Sequence, residues 1–155
     1  GCSDHLPVPP AHDALEARAT EYADRITRWM VTRWQEEAPP TADGVEVITW
    51  FQFMLGAKIK RALDGVRDVA AGDAESLPDA EGSAKVALLG AERSLAAWQA
   101  LLEAGVVTAS DAEPCIADLS WMIAQLDALI PTARGFVRPA FDEPDDVARL
   151  LAAGG

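Results

Sequence analysis

The sequence predicts an all-α protein: a four-helix up-down-up-down bundle with a short carboxy-terminal helix. Three observations carry this. Four stretches repeat apolar residues at alternating spacings of three and four, and the breaks between them hold proline or glycine. No stretch alternates apolar and polar residues with period two for long enough to form a sheet strand.

Residues 1–12 read as a flexible leader with three prolines and no periodicity, and 13–155 as a single domain. The first helix is expected over 13–37, ending before Pro39-Pro40; Leu15, Ala19, Tyr22, Ile26 and Trp29 form its stripe, widened by Met30 and Trp34. At 1.5 Å per residue it is a rod of roughly 37 Å. The second is expected over 45–71, with Gly72 as its stop and a stripe of Ile48, Phe51, Leu55, Ile59, Ala62, Val66 and Val69. Its first half is apolar nearly all round, because Val45, Val47, Trp50, Phe53 and Met54 fall outside that stripe.

An acidic linker containing Pro78 is expected over 73–82. The third helix then starts between Asp79 and Ser83, either of which can cap it, and ends at Gly105. Its stripe is Ala84, Leu88, Ala91, Leu95, Trp98 and Leu102. Ser110 and Glu113 have the spacing of a capping box at the start of the fourth helix, and Asp111 is the alternative cap because Pro114 follows so closely. Ile116, Leu119, Ile123, Leu126 and Ile130 carry that helix to Pro131. Residues 131–139 should be irregular, with Phe136, Val137 and Phe141 packing on the bundle, and 142–152 can form the short last helix. Connections of this length favour antiparallel neighbours.

A chain of 155 residues, half of them hydrophobic, has the material for a core without disulfide or metal staples. Its charge, 13 basic against 25 acidic residues for a net of −12, repels nucleic acid and anionic membrane surfaces. Arg18, Arg25, Arg28 and Arg33 share one stretch, but acids are interleaved with them. The longest apolar run, 48–57, is broken by Thr49, Gln52 and Gly56 and falls short of the ~18 residues of a membrane span. The two cysteines, Cys2 and Cys115, make no CxxC pair, and Cys115 reads as a small, half-buried apolar residue. A cytoplasmic location is expected. The alternative is a bacterial lipoprotein anchored through Cys2, with Gly1 in place of the natural preceding residue.

Metal chemistry finds little support. There is no Glu-x-x-His motif, and the only histidines are His5 and His12, which excludes ferritin-like, hemerythrin-like and DinB-like sites and a HEPN-type nuclease centre. Carboxylate pairs at Asp13 and Glu16, and at Glu21 and Asp24, lie on one helix rather than two. Glu21 with Arg25, and Asp24 with Arg28, have the acid-first spacing of exposed ion pairs, and that is their expected role. No catalytic residue, metal or cofactor is predicted. Lys58 and Arg61, joined by Arg93 and Arg33, could form a cationic pocket near Trp50 and Met54, or lay their stems on apolar surface with their heads in water. Gly82-Ser83-Ala84-Lys85 is read as simple capping in preference to a phosphate site.

The residues point first to a non-enzymatic interaction module that self-associates as a symmetric dimer, with Trp34, Trp50, Phe53 and Trp121 at the interface. Burial of these aromatics under the carboxy-terminal tail is the competing expectation. The alternative function is a small-anion binder, or a bundle-type enzyme, whose polar groups Arg28, Lys58, Arg61, Glu92 and Gln125 converge from several helices. A cavity shared by those side chains would decide for it.

Overall fold

The computed structural model describes residues 11–36 and 43–137. They form four helices, α1 (Ala11–Gln35), α2 (Asp43–Ala70), α3 (Leu77–Glu103) and α4 (Ala109–Gly135), packed against one another with no strand among the described residues. The expected helix at 142–152, and the leader up to residue 10, lie outside them.

The expected α1 stripe is the buried one: Leu15, Ala19, Tyr22, Ile26 and Trp29 all face the core. So do Ile48, Leu55, Ile59, Ala62, Val66 and Val69 on α2, with Phe51 half-buried. At the centre the Trp98 indole N–H donates to the Tyr22 hydroxyl at 3.2 Å, and the Trp29 and Trp98 rings meet edge-on with centroids 5.2 Å apart. Such aromatic pairs add about 0.5–1.5 kcal/mol to the burial of their area. Burial pushes the Tyr22 hydroxyl well above the usual tyrosine range, the Trp98 N–H offsetting part of the effect.

Glycine stops α2 and α3 where expected. Gly72 and Gly105 have φ of +105° and +73°, which a side chain would resist. At each end two backbone bonds close the last turn: Gly72 N–H to Val69 with Asp73 N–H to Asp68, and Gly105 N–H to Leu102 with Val106 N–H to Leu101.

The helix starts differ from expectation. Pro78 sits in the first turn of α3, where its missing N–H costs nothing, so the linker shrinks to a 3-10 turn at Ala74–Ser76. Ser76, not Asp79 or Ser83, occupies the capping position; Ser83 is buried inside the helix. At α4 the cap is Thr108, whose hydroxyl accepts from the Asp111 N–H at 3.2 Å, replacing the expected Ser110–Glu113 box. The helix also continues through Pro131 to Gly135, held by buried Leu129 and Ala133 on either side and by the Arg134–Glu81 ion pair to α3. Pro131 is exposed and sacrifices one bond of the ladder.

Two stripes are also rotated. On α4 the core side chains are Ala112, Cys115, Leu119, Met122, Leu126, Leu129 and Ala133, while Ile116, Ile123 and Ile130 are only half-buried. On α3 small residues take the core side, Ala80, Ala84, Ala87 and Ala91 among them, and Leu88, Leu95 and Leu102 sit at its flank. The small residues let α3 lie close on α2. A Cβ added to Gly65 would stand 2.8 Å from the Ala80 Cβ, and one added to Gly90 would stand 2.9 Å from the Phe51 ring.

Candidate functional site

The α1–α4 seam gathers most of the buried charge. Asp118 is 1% exposed, on the core side of α4. Arg18 and Arg25 are seven residues apart and so share a face of α1, two turns from each other. Their Nε atoms donate to the two oxygens of Asp118, at 2.5 Å and 2.9 Å. The Arg18 guanidinium also lies 5.3 Å from the centroid of the Trp121 ring, a cation–π contact. The expected surface pairs Glu21–Arg25 and Asp24–Arg28 do not form among the described residues; Arg25 turns to Asp118 instead. For Arg25 the reason is energetic: an exposed pair along a helix gains only about 0.3–0.5 kcal/mol, whereas a buried carboxylate left alone costs several times that.

Beside this cluster lies a cavity of about 450 Å³ between the second half of α1 and the first turns of α4. Arg25, Arg28 and Arg33 face it from α1, and Thr108, Ser110 and Pro114 from α4. Only the Nε of Arg25 is engaged by Asp118, and no ion pair joins Arg28 to a described residue. Arg33 is held loosely, 3.7 Å from Glu36 and 3.9 Å from Asp111, two carboxylates that also line the cavity. Trp29 forms part of the wall; it is 8% exposed and its indole N–H has no partner among the described residues. Cys115 is buried here rather than half-buried, and burial with the charge of Asp118 pushes its thiol up to about 12, so it is no nucleophile near neutral pH.

A second, smaller cavity of about 220 Å³ runs along the α1–α2 seam, between Glu16, Thr20 and Asp24 on one wall and Phe53, Gly56 and Lys60 on the other. Gln52 beneath it is 6% exposed, its amide donating to the Ala23 carbonyl at 2.9 Å and to the Thr27 hydroxyl.

Of the five polar residues expected to converge, Arg28 alone lines either cavity, and Arg33, expected beside Lys58 and Arg61, lines the first without them. Lys58 and Gln125 are half-buried, Glu92 is exposed, and exposed Arg61 pairs with Asp79 at 3.0 Å. Neither of these two cavities among the described residues gathers the five, or joins Lys58, Arg61 and Arg93 to Arg33. Among the aromatics, Trp34, Trp50 and Phe53 are exposed by 63%, 65% and 74%. Trp121 is half-buried against the core beneath Arg18.

Sequence reasoning missed Asp118, although a signal existed. With the α4 stripe phased on Cys115, Leu119 and Met122, an acid at 118 falls on the same face, three residues after one and four before another. Arg25 was missed because its near neighbour Glu21 accounted for it. His12, read as leader, is 6% exposed in the first turn of α1; burial, and then Arg67, lower its pKa.

Among the described residues no three His, Cys, Asp or Glu side chains are grouped to hold a metal ion, and no helix is long and apolar enough to cross a membrane. No family model matches the chain, and no curated protein or solved structure shows significant similarity to it.

Proposed function

We propose that this protein binds a small organic anion in the cleft between α1 and α4. The observation that carries the reading is the convergence of Arg25, Arg28 and Arg33 on one cavity in a chain whose net charge is −12. Its volume of about 450 Å³ lies within the roughly 300–1,000 Å³ of small-molecule sites. The polar requirements of a carboxylate or phosphate are met from two sides. Guanidiniums on α1 supply paired N–H donors, and the first turn of α4 adds the Ser110 hydroxyl and a helix N-terminus. Glu36 and Asp111 keep Arg33 in place at distances longer than a tight ion pair, so a ligand carboxylate or phosphate can displace them. Trp29 and Pro114 offer an apolar wall to the remainder of the ligand. For the topology we adopt an up-down-up-down order, which the contact registers support: Asp13 and Glu16 meet Arg67 while Ala23 and Thr27 meet Gln52, and Gly65 meets Ala80 while Phe51 meets Gly90.

Native mass spectrometry of protein purified from its own host, followed by NMR titration with phenyl phosphate and benzoate, tests the reading. A defined small adduct, and amide shifts confined to residues 25–36 and 108–115 that vanish in Arg28→Gln/Arg33→Gln, are expected. Shifts scattered over the surface, or unchanged in that variant, would sink it.

A second reading, self-association, is favoured by the exposure of Trp34, Trp50 and Phe53. Its own check is the sedimentation of the wild-type chain.

A further inference from the structure

Resting on the reading that the chain self-associates, we propose that two copies pair across the α1–α2 groove, about a two-fold axis running along the groove, each lodging its Phe53 ring on the other's α1 wall. The groove is suited to receive a ring. Its volume is about 220 Å³, and its walls are low where Ala19, Ala23 and Gly56 line it. The space above the Gly56 Cα is open, with no atom within 4 Å of where a Cβ would stand. Phe53 rises beside this space, 74% exposed, and Trp50 on the preceding turn is 65% exposed. The described residues of one copy leave both in water.

Charge selects the second copy as occupant and fixes its orientation. The α1 wall is acidic, with Glu16 and Asp24, whereas the α2 wall carries Lys60. Contacts between the two helices run in opposite residue order: Arg67 meets Asp13 and Glu16, and Gln52 meets Ala23 and Thr27. Lys60 therefore stands within about a turn of the level of Glu16, and Phe53 near the level of Asp24. A two-fold axis along the groove lays α2 of each copy over α1 of the other at equal height. Lys60 then faces the partner's Glu16, and Phe53 lands between the partner's Thr20 and Asp24, over Ala23. The alternative axis, across the helices, would set acidic α1 on acidic α1, which repels. Of the two axes, only the one along the groove makes it complementary to itself, as a closed two-fold interface requires.

Sedimentation equilibrium of the full chain, with no added ligand, is the test. Wild type is expected to be a dimer. Phe53→Asp, at an exposed position and so expected to leave the helical circular dichroism intact, should weaken dimerisation by at least about 100-fold. Lys60→Glu should weaken it about 10-fold, and adding Glu16→Lys should restore it. A monomeric wild type would overturn the self-association reading and this proposal with it. A dimer indifferent to Phe53→Asp, or a charge swap without rescue, would overturn the groove arrangement alone.

Discussion

Replacing Gly65 with alanine sets two terms of known sign against each other. Alanine is favoured over glycine within a helix by about 0.8–1 kcal/mol, so on propensity alone the change would stabilise α2. Against this, the new Cβ would lie 2.8 Å from the Ala80 Cβ and 3.1 Å from its Cα. Neither atom can turn aside as a side-chain end can, so α2 and α3 must part, and overpacking of this kind costs about 1–3 kcal/mol. Gly82 supplies the control. It lies inside α3, exposed, with nothing within 4 Å of its added Cβ, so only the propensity gain applies there. Gly65→Ala should therefore fall about 1–3 kcal/mol below Gly82→Ala, or roughly 2–12 °C in Tm for a chain of this length. Gly90→Ala should fall between them, because the half-buried Phe51 ring at 2.9 Å can rotate. Urea denaturation followed by circular dichroism measures all three. Equal stability of Gly65→Ala and Gly82→Ala would refute the close approach of α2 and α3.

Two further outcomes follow from the buried polar groups. Asp118→Ala strands two guanidiniums whose side chains are 34% and 39% exposed and can rehydrate, so the loss should be about 1–3 kcal/mol, not the ~3–5 of a fully buried pair. A double-mutant cycle with Arg25→Ala should be non-additive, and strict additivity would mean that the pair contributes nothing. His12 has a lowered pKa in the folded chain, so the unfolded chain binds more protons as pH drops through about 6.5. Its contribution is complete above that value and is lost below it, toward the folded pKa. The urea midpoint should thus fall more steeply between about pH 7 and 5 in wild type than in His12→Gln, and parallel slopes would contradict the burial of the ring.

The four helices were legible because their stripes are long and their stops are strong. Gly72 and Gly105 end α2 and α3 through φ values that other residues resist, and the α1 stripe from Leu15 to Trp29 is buried as spaced. The phase of α4 was not legible by weighing large apolar residues. Ile116, Ile123 and Ile130 outrank Ala112 and Cys115 in hydrophobicity, yet they are only half-buried while Ala112, Cys115 and Met122 face the core. On α3 small size has a steric purpose, a close contact with α2, which hydrophobicity alone does not reveal. Pro131 looked like a stop because the local cost of proline is visible in sequence, whereas the anchoring of Leu129, Ala133 and Arg134 is tertiary. The cavity needed structure as well: its arginines come from α1 and its opposing hydroxyls from α4, over seventy residues later.

The charges of α1 show why neither proposed site was legible in the sequence. Read linearly, acids and arginines alternate and suggest a solvated face of ion pairs along the helix. Folded, they separate by side. Arg18, Arg25, Arg28 and Arg33 turn to α4, while Glu16 and Asp24 turn to the α2 groove. Each seam thereby acquires a sign that the average of −12 conceals: a cationic cleft in an acidic protein, and an acidic wall facing a single lysine. Because the two linings occupy different sides of α1 and share no side chain, the two proposed sites should be energetically separable. Substitutions at Arg28 and Arg33 should leave association untouched, and Phe53→Asp should leave anion binding untouched. Coupling between them would require α1 itself to shift, against the core hold of Tyr22, Ile26 and Trp29.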